Sequence, residues 1–137
     1  MSLDNQRPAG GPTEPAVRTL LDRYIAGFVN ADLSELESAL RTDAALEVTG
    51  LRTWFSGLTT CLRFIQTWAL GAPGDWKMIP TLANGQPAAA AFLRGDDGRH
   101  HAYGIAVLTT TGRAITRITV FDDPRLVAVA GFSATHT

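Results

Sequence analysis

The chain lacks much that would assign it quickly. One cysteine, Cys61, among 137 residues excludes an internal disulfide. It falls in an apolar helical pattern, where a thiol serves as a small core group, and it agrees with a cytoplasmic setting. An excess of one charge is missing too, since 12 Lys and Arg stand against 13 Asp and Glu, net −1. A nucleic-acid-binding surface would show a basic footprint. The only basic cluster here, Arg99-His100-His101, reads as a solvated strand face. No direct nucleic-acid contact is expected. No apolar run nears the roughly 20 residues that span a bilayer, and the first residues lack a signal peptide's apolar core. Metal ligands do not cluster. His100 and His101 are neighbours on a strand and point to opposite faces, and His136 stands apart near the C-terminus. Neither a metal site nor a cofactor is expected.

What is present is a globular composition, 45% hydrophobic, in a chain of one-domain length. Pro8, Gly10, Gly11 and Pro12 make residues 1–13 a flexible tail or linker remnant, whose opening Met-Ser-Leu also fits an expression scar. The domain is expected over residues 14–132, with a C-terminal tail at 133–137. Thr13 is placed to cap a first helix, with Glu14 in its first turn and Pro15 tolerated there. Val17, Leu20, Leu21, Tyr24, Ile25 and Phe28 give that helix one apolar face. Asp32 caps a second helix, with Glu35 positioned for a capping box. Ala44–Val48 reads as a strand, Thr49–Gly57 as a connection and Leu58–Leu70 as a third helix, with Leu58, Cys61, Leu62, Ile65 and Trp68 on one face. Gly71-Ala72-Pro73-Gly74 ends it.

Trp76–Leu82 alternates as a strand in which Pro80 implies an edge position or a bulge. Asn84-Gly85 turns the chain into a meander of Ala88–Arg94, Arg99–Thr110 and Ala114–Phe121, closed by Gly95-Asp96-Asp97-Gly98 and Thr111-Gly112-Arg113. Short turns force antiparallel neighbours. Three amphipathic helices need an apolar surface, and one face of this sheet is large enough. The expected fold is α+β, a curved, mostly antiparallel sheet packed on three helices around a cavity. Leu20, Tyr24, Ile65 and Trp68 are expected against the inner face.

The helix–helix–strand–helix–meander order resembles the cone shared by nuclear transport factor two, scytalone dehydratase, ketosteroid isomerase and the polyketide cyclase SnoaL. Particular segments narrow this: Thr53-Trp54-Phe55-Ser56-Gly57, Trp76-Lys77-Met78-Ile79-Pro80-Thr81, Ala83-Asn84-Gly85-Gln86-Pro87-Ala88, Val107-Leu108, Gly112-Arg113-Ala114-Ile115 and Ile118-Thr119-Val120-Phe121-Asp122-Asp123-Pro124. From Val17 to Phe132 they resemble the SnoaL-like C-terminal domain of actinobacterial extracytoplasmic-function RNA polymerase sigma factors. No segment resembles the helical promoter-reading regions that precede such a domain, so the chain is either an excised domain or a free-standing relative. The resemblance implies a non-catalytic regulatory or ligand-binding domain that modulates transcription initiation. Its partners would be the sigma factor's helical domains and, through the parent protein, RNA polymerase. It leaves room for a small apolar ligand and for a homodimer.

Trp54 and Phe55 are either a core plug or the aromatic lip of that cavity. Gln86 either belongs to the hairpin or points its amide into the cavity. Alternation places His101 on one face with Tyr103, Ile105 and Val107, and His100 with Ala102, Gly104 and Ala106. Trp54, Phe55, Gln86, His101 and Tyr103 are therefore the candidate ligand-binding residues. Two other function classes compete. One is a small cyclase or isomerase-type enzyme using Asp122 or His101, which would need a carboxylate buried enough to titrate near neutrality. Asp122 has a plainer reading, since Asp before Pro124 starts a turn. The isomerases' catalytic aspartate falls at Thr49, whose hydroxyl cannot abstract a carbon-bound proton, while Glu47 points away from Val48; this weighs against isomerisation. The other is a dimerisation module, with Ala89, Ala91 and Ala106 on whichever sheet face is outward.

Overall fold

The structure, a computed structural model, describes residues 15–136. The expected tail over residues 1–13 and the Thr13 cap lie outside the described residues. Helix α1 (Pro15–Val29) and helix α2 (Leu33–Ala39) are followed by β1 (Leu40–Val48), a tight turn at Thr49–Leu51 and β2 (Thr53–Ser56). Helix α3 (Leu58–Phe64) runs on into a widened π-type turn at Ile65–Ala69. Strands β3 (Trp76–Ala83), β4 (Gln86–Arg94), β5 (His100–Thr111) and β6 (Ala114–Phe121) make the meander. A short helix α4 (Arg125–Val129) and strand β7 (Thr135–His136) complete it. No helix among the described residues is long and apolar enough to cross a membrane.

Strand order is β2-β1-β6-β5-β4-β3, with β7 on the stretch of β5 that β6 leaves free. All pairs are antiparallel except β1 with β6. The expected α+β cone is the observed one: a curved, mostly antiparallel sheet against α1 and α3. The hairpin chemistry explains the meander. Asn84 (φ 53°) and Gly85 (φ 80°) supply the paired left-handed positions that a two-residue hairpin needs. Pro80 lies on β3, the sheet's edge strand, where a missing N–H costs no ladder bond.

Several elements differ from expectation. The first strand begins at Leu40 rather than Ala44, and the Thr49–Gly57 connection contains β2, paired to β1 with Trp54 opposite Glu47. Asp32 does cap α2, its Oδ1 accepting from the Ser34 N–H at 3.1 Å and the Glu35 N–H at 3.4 Å. The return half of the capping box is replaced, because the Asp32 N–H donates to the Gly27 carbonyl at 2.8 Å. Trp68 is not packed on the sheet: it is 77% exposed, whereas Leu20, Tyr24 and Ile65 are buried as expected. Residues 133–136 are not simply a tail, since Thr135 and His136 pair with His101 and His100.

Two apolar clusters flank the sheet. The larger joins α1, α2 and α3 to the inner face and includes Ala89, Ala91 and Ala106, which settles that these alanines are unavailable to a partner. The smaller lies outside, where Val127 of α4 covers Ala88, Ala90, Phe92, Ile105 and Val107. Each fully buried Leu, Ile or Phe contributes roughly 1.5–3 kcal/mol. The larger cluster therefore dominates stability.

Curvature comes from register shifts at Leu40/Ala45, Ala91/Phe92 and Thr109/Thr110. Each bends a strand and increases its twist. The middle shift decides the site. Ala91 pairs with Gly104 and Phe92 with Ala102, so Tyr103 is the unpaired residue of a bulge. Alternation breaks there. Tyr103 packs on the inner cluster, while Ile105 and Val107 belong to the outer one, against the expectation that all three share a face.

Candidate functional site

The bent sheet does not close fully on the helices. Between them lies a cavity of about 550 Å³. One side is a run of aromatic rings contributed by three elements. Tyr24 and Phe28 of α1 are 5.0 Å apart, Phe28 meets Trp76 of β3 edge-on at 6.0 Å, and Trp76 meets Tyr103 of β5 edge-on at 5.1 Å. Such tilted and edge-to-face contacts are favoured by the ring quadrupoles. The Trp76 Nε1–H donates to the Ala69 carbonyl at 2.7 Å, which fixes the indole against the end of the α3 segment. Small residues, Ala91, Gly104 and Ala106, form the floor and leave the space that larger side chains would fill.

Among the described residues, the wall carries no Asp, Glu, His, Lys, Arg or Cys. Its side-chain polarity is limited to the tyrosine and threonine hydroxyls and the indole N–H groups. Burial, and then the neighbouring Tyr103, push the Tyr24 phenol far above its ordinary range. Burial, followed by the carboxylate of Asp122, pushes Tyr103 up as well. Both phenols are therefore neutral at physiological pH and act as hydrogen-bonding groups rather than bases. A cavity of this kind suits an uncharged apolar molecule, because burying an unpaired charge is costly.

The structure brings one of the five candidate binding residues, Tyr103, to the cavity wall. Phe55 stands one layer behind, stacked at 4.5 Å on Phe64, which does line the cavity. Trp54 is on the outer face, with the Arg117 guanidinium 5.4 Å from its ring centre and Arg117 bonded to Glu47 at 2.8 Å. Gln86 spends its amide on the Thr109 hydroxyl at 3.1 Å and the Leu108 carbonyl at 3.4 Å. His101 bonds Asp97 of the β4–β5 turn at 2.9 Å and is half exposed.

The residues of the catalytic alternative are occupied elsewhere. Asp122 accepts the Gly50 N–H at 2.7 Å and so latches the end of β6 to the turn after β1. Thr49, at the isomerase base position, donates its hydroxyl to the Val120 carbonyl at 3.2 Å. Cys61 is buried, and desolvation raises its thiol, in keeping with a packing role.

The sequence pattern puts Tyr24, Phe28 and Trp76 on apolar faces but does not group them around a cavity. The available signal was their aromatic type on three separate elements facing one sheet. That pattern fits a solid core equally well, and only the curvature distinguishes the two.

No family model matches the chain. Over 116 residues, 84% of the chain, it is 32% identical to the ECF RNA polymerase sigma factor SigG of Mycobacterium tuberculosis. That match spans 31% of the sigma factor, so the chain corresponds to about a third of its relative's length. Among solved structures, a putative ketosteroid isomerase from Kribbella flavida is 26% identical with a TM-score of 0.63, covering 81% of this chain and 79% of that one. An NTF-2 like protein from Burkholderia xenovorans, 12% identical, shares the fold with a TM-score of 0.66 over 82% of this chain and 88% of its own. The chain therefore has the NTF2-like fold and is similar in sequence to about a third of an ECF RNA polymerase sigma factor.

Proposed function

We propose that this domain is a ligand-binding regulatory module of an RNA polymerase sigma factor in the cytoplasm, acting on transcription initiation through its apolar cavity. The observation that carries the reading is the cavity wall: about 550 Å³ lined, among the described residues, by aromatic and aliphatic groups with a few hydroxyls and no carboxylate, imidazole, thiol or cationic side chain. Such a wall supports binding over catalysis, because acid–base chemistry needs a titrating group within hydrogen-bond reach of the reacting atom. The sigma-factor relative supports the transcriptional setting. A near-neutral charge supports contact with protein or small molecule rather than DNA, since phosphate binding draws on clustered Lys and Arg. A ligand that prefers one docking state of the domain on the sigma factor's helical regions shifts that equilibrium by its differential affinity.

The test uses a sigma factor that carries this domain. Deleting residues 14–132 is expected to change promoter output in a reconstituted transcription assay while leaving core-polymerase binding intact. Ala106→Phe, which fills the cavity floor, is expected to mimic the deletion, and Trp54→Ala, on the outer face, is expected not to. Identical transcription from full-length and truncated factors under all conditions would make the domain a passenger.

A further inference from the structure

The cavity has an asymmetric mouth. Among the described residues, three of the large apolar side chains left exposed rim this one opening: Trp68 at 77%, Leu51 at 61% and Leu93 at 37%. They come from the π-type turn after α3, from the turn after β1 and from the end of β4. Folded monomers seldom leave contiguous apolar patches in water without a use for them. Trp68 is the extreme case, a residue of the cavity lining that is mostly in solvent.

The turn that bears Trp68 explains why it is free. Ile65–Ala69 is widened, and the Leu70 N–H bonds the Ile65 carbonyl at 2.8 Å, five residues back. Such insertions are rare and concentrate at functional sites. Both ends of the turn are fixed. Ile65 is buried in the core, and the Ala69 carbonyl is held by Trp76. Between these anchors Gln66, Thr67 and Trp68 are exposed, so the indole can swing by side-chain rotation without moving the fold.

We propose that Trp68 is the closing element of the cavity. Its indole folds over a bound uncharged apolar molecule towards Leu51 and Leu93 and supplies the wall that is missing. This rests on the ligand-binding reading above and adds the residue that retains the ligand. Rotamer motion of an exposed side chain is fast. Closure therefore slows release more than it limits entry, and it favours molecules that fill the cavity and leave an apolar edge at the mouth.

The experiment uses the full chain and the neutral dye N-phenyl-1-naphthylamine as ligand. Stopped-flow displacement should show the dye leaving Trp68→Ala about tenfold faster than wild type, the effect of removing one apolar wall. Trp68→Phe should recover most of the retention. In protein labelled with 5-fluorotryptophan, the resonance assigned to Trp68 should lose its H2O/D2O shift when dye is bound, while that of Trp54 keeps its own. Dye bound by wild type with Trp68 still solvated, or with equal release from Trp68→Ala, overturns the closing role and leaves the binding reading standing. Failure of wild type to take up the dye at millimolar concentration overturns the binding reading and this inference together.

Discussion

Gly104 lies in the cavity floor beside the Tyr103 bulge, and its replacement by alanine tests how closely the end of β6 approaches β5. A Cβ built on Gly104 overlaps the Phe121 carbonyl oxygen and sits 3.0 Å from the Asp122 Cα. Both are backbone atoms, so no side-chain rotation relieves the overlap. The strands must separate by on the order of 1 Å, which costs roughly 1–3 kcal/mol as overpacking. Separation also weakens the ladder where Ile105 pairs with Phe121, at about 1 kcal/mol for each hydrogen bond lost. The expected destabilisation is about 3 kcal/mol, or a fall in Tm of roughly 10 °C for a domain of this length. Urea unfolding followed by tryptophan fluorescence would measure it as a shift in midpoint with the slope unchanged. Gly112→Ala is the control. It has open space around the new methyl group and a φ of 60°, so it costs only the left-handed backbone penalty of about 1 kcal/mol. If Gly104→Ala unfolds within 0.5 kcal/mol of wild type, or is no worse than Gly112→Ala, the close approach that shapes the floor is wrong.

Asp122→Ala should cost about 1 kcal/mol through loss of the 2.7 Å bond to the Gly50 N–H, and should lower the Tyr103 pKa in a spectrophotometric titration; an unchanged phenol would refute the proximity of the two groups. Cys61 should resist Ellman's reagent at pH 8 in the folded state and react at once in denaturant, because burial raises its thiol and blocks access; rapid reaction of the native protein would contradict its placement. Asp32, held low by the Ser34 hydroxyl, Asp43 by Arg41, Asp97 by the Arg99 N–H and Asp123 by Arg125 all titrate below their ordinary 3.8. Their folded-state pKa values are depressed, so the stability they add is present above that value and is lost as pH falls through the lower folded values. Through these groups, thermal melts should decline below about pH 4. A melt that rises on acidification would reverse the sign of this linkage.

The sequence alone determined the parts of the molecule that rest on local rules. Asn84-Gly85, Gly98 and Gly112 carry positive φ, so the three hairpins and the antiparallel meander were legible from turn chemistry. The Asp32 cap and the edge placement of Pro80 were legible because each depends on which backbone N–H groups are free. The likeness to sigma-factor domains was also present in the residue string and was matched by comparison. The candidate site was not legible. One extra residue at Tyr103 reverses the faces that alternation assigns, sending Ile105 and Val107 outward while Tyr103 stays inside. One extra residue in the turn after Phe64 turns Trp68 away from the sheet and onto the mouth. Trp54 follows β2 to the outer face because its partner is Glu47 rather than Val48. Bulges and widened turns are fixed by what a segment packs against, not by its own propensities. The cavity depends on how far the sheet bends before its side chains meet the helices, a balance of long-range packing that only the folded chain expresses.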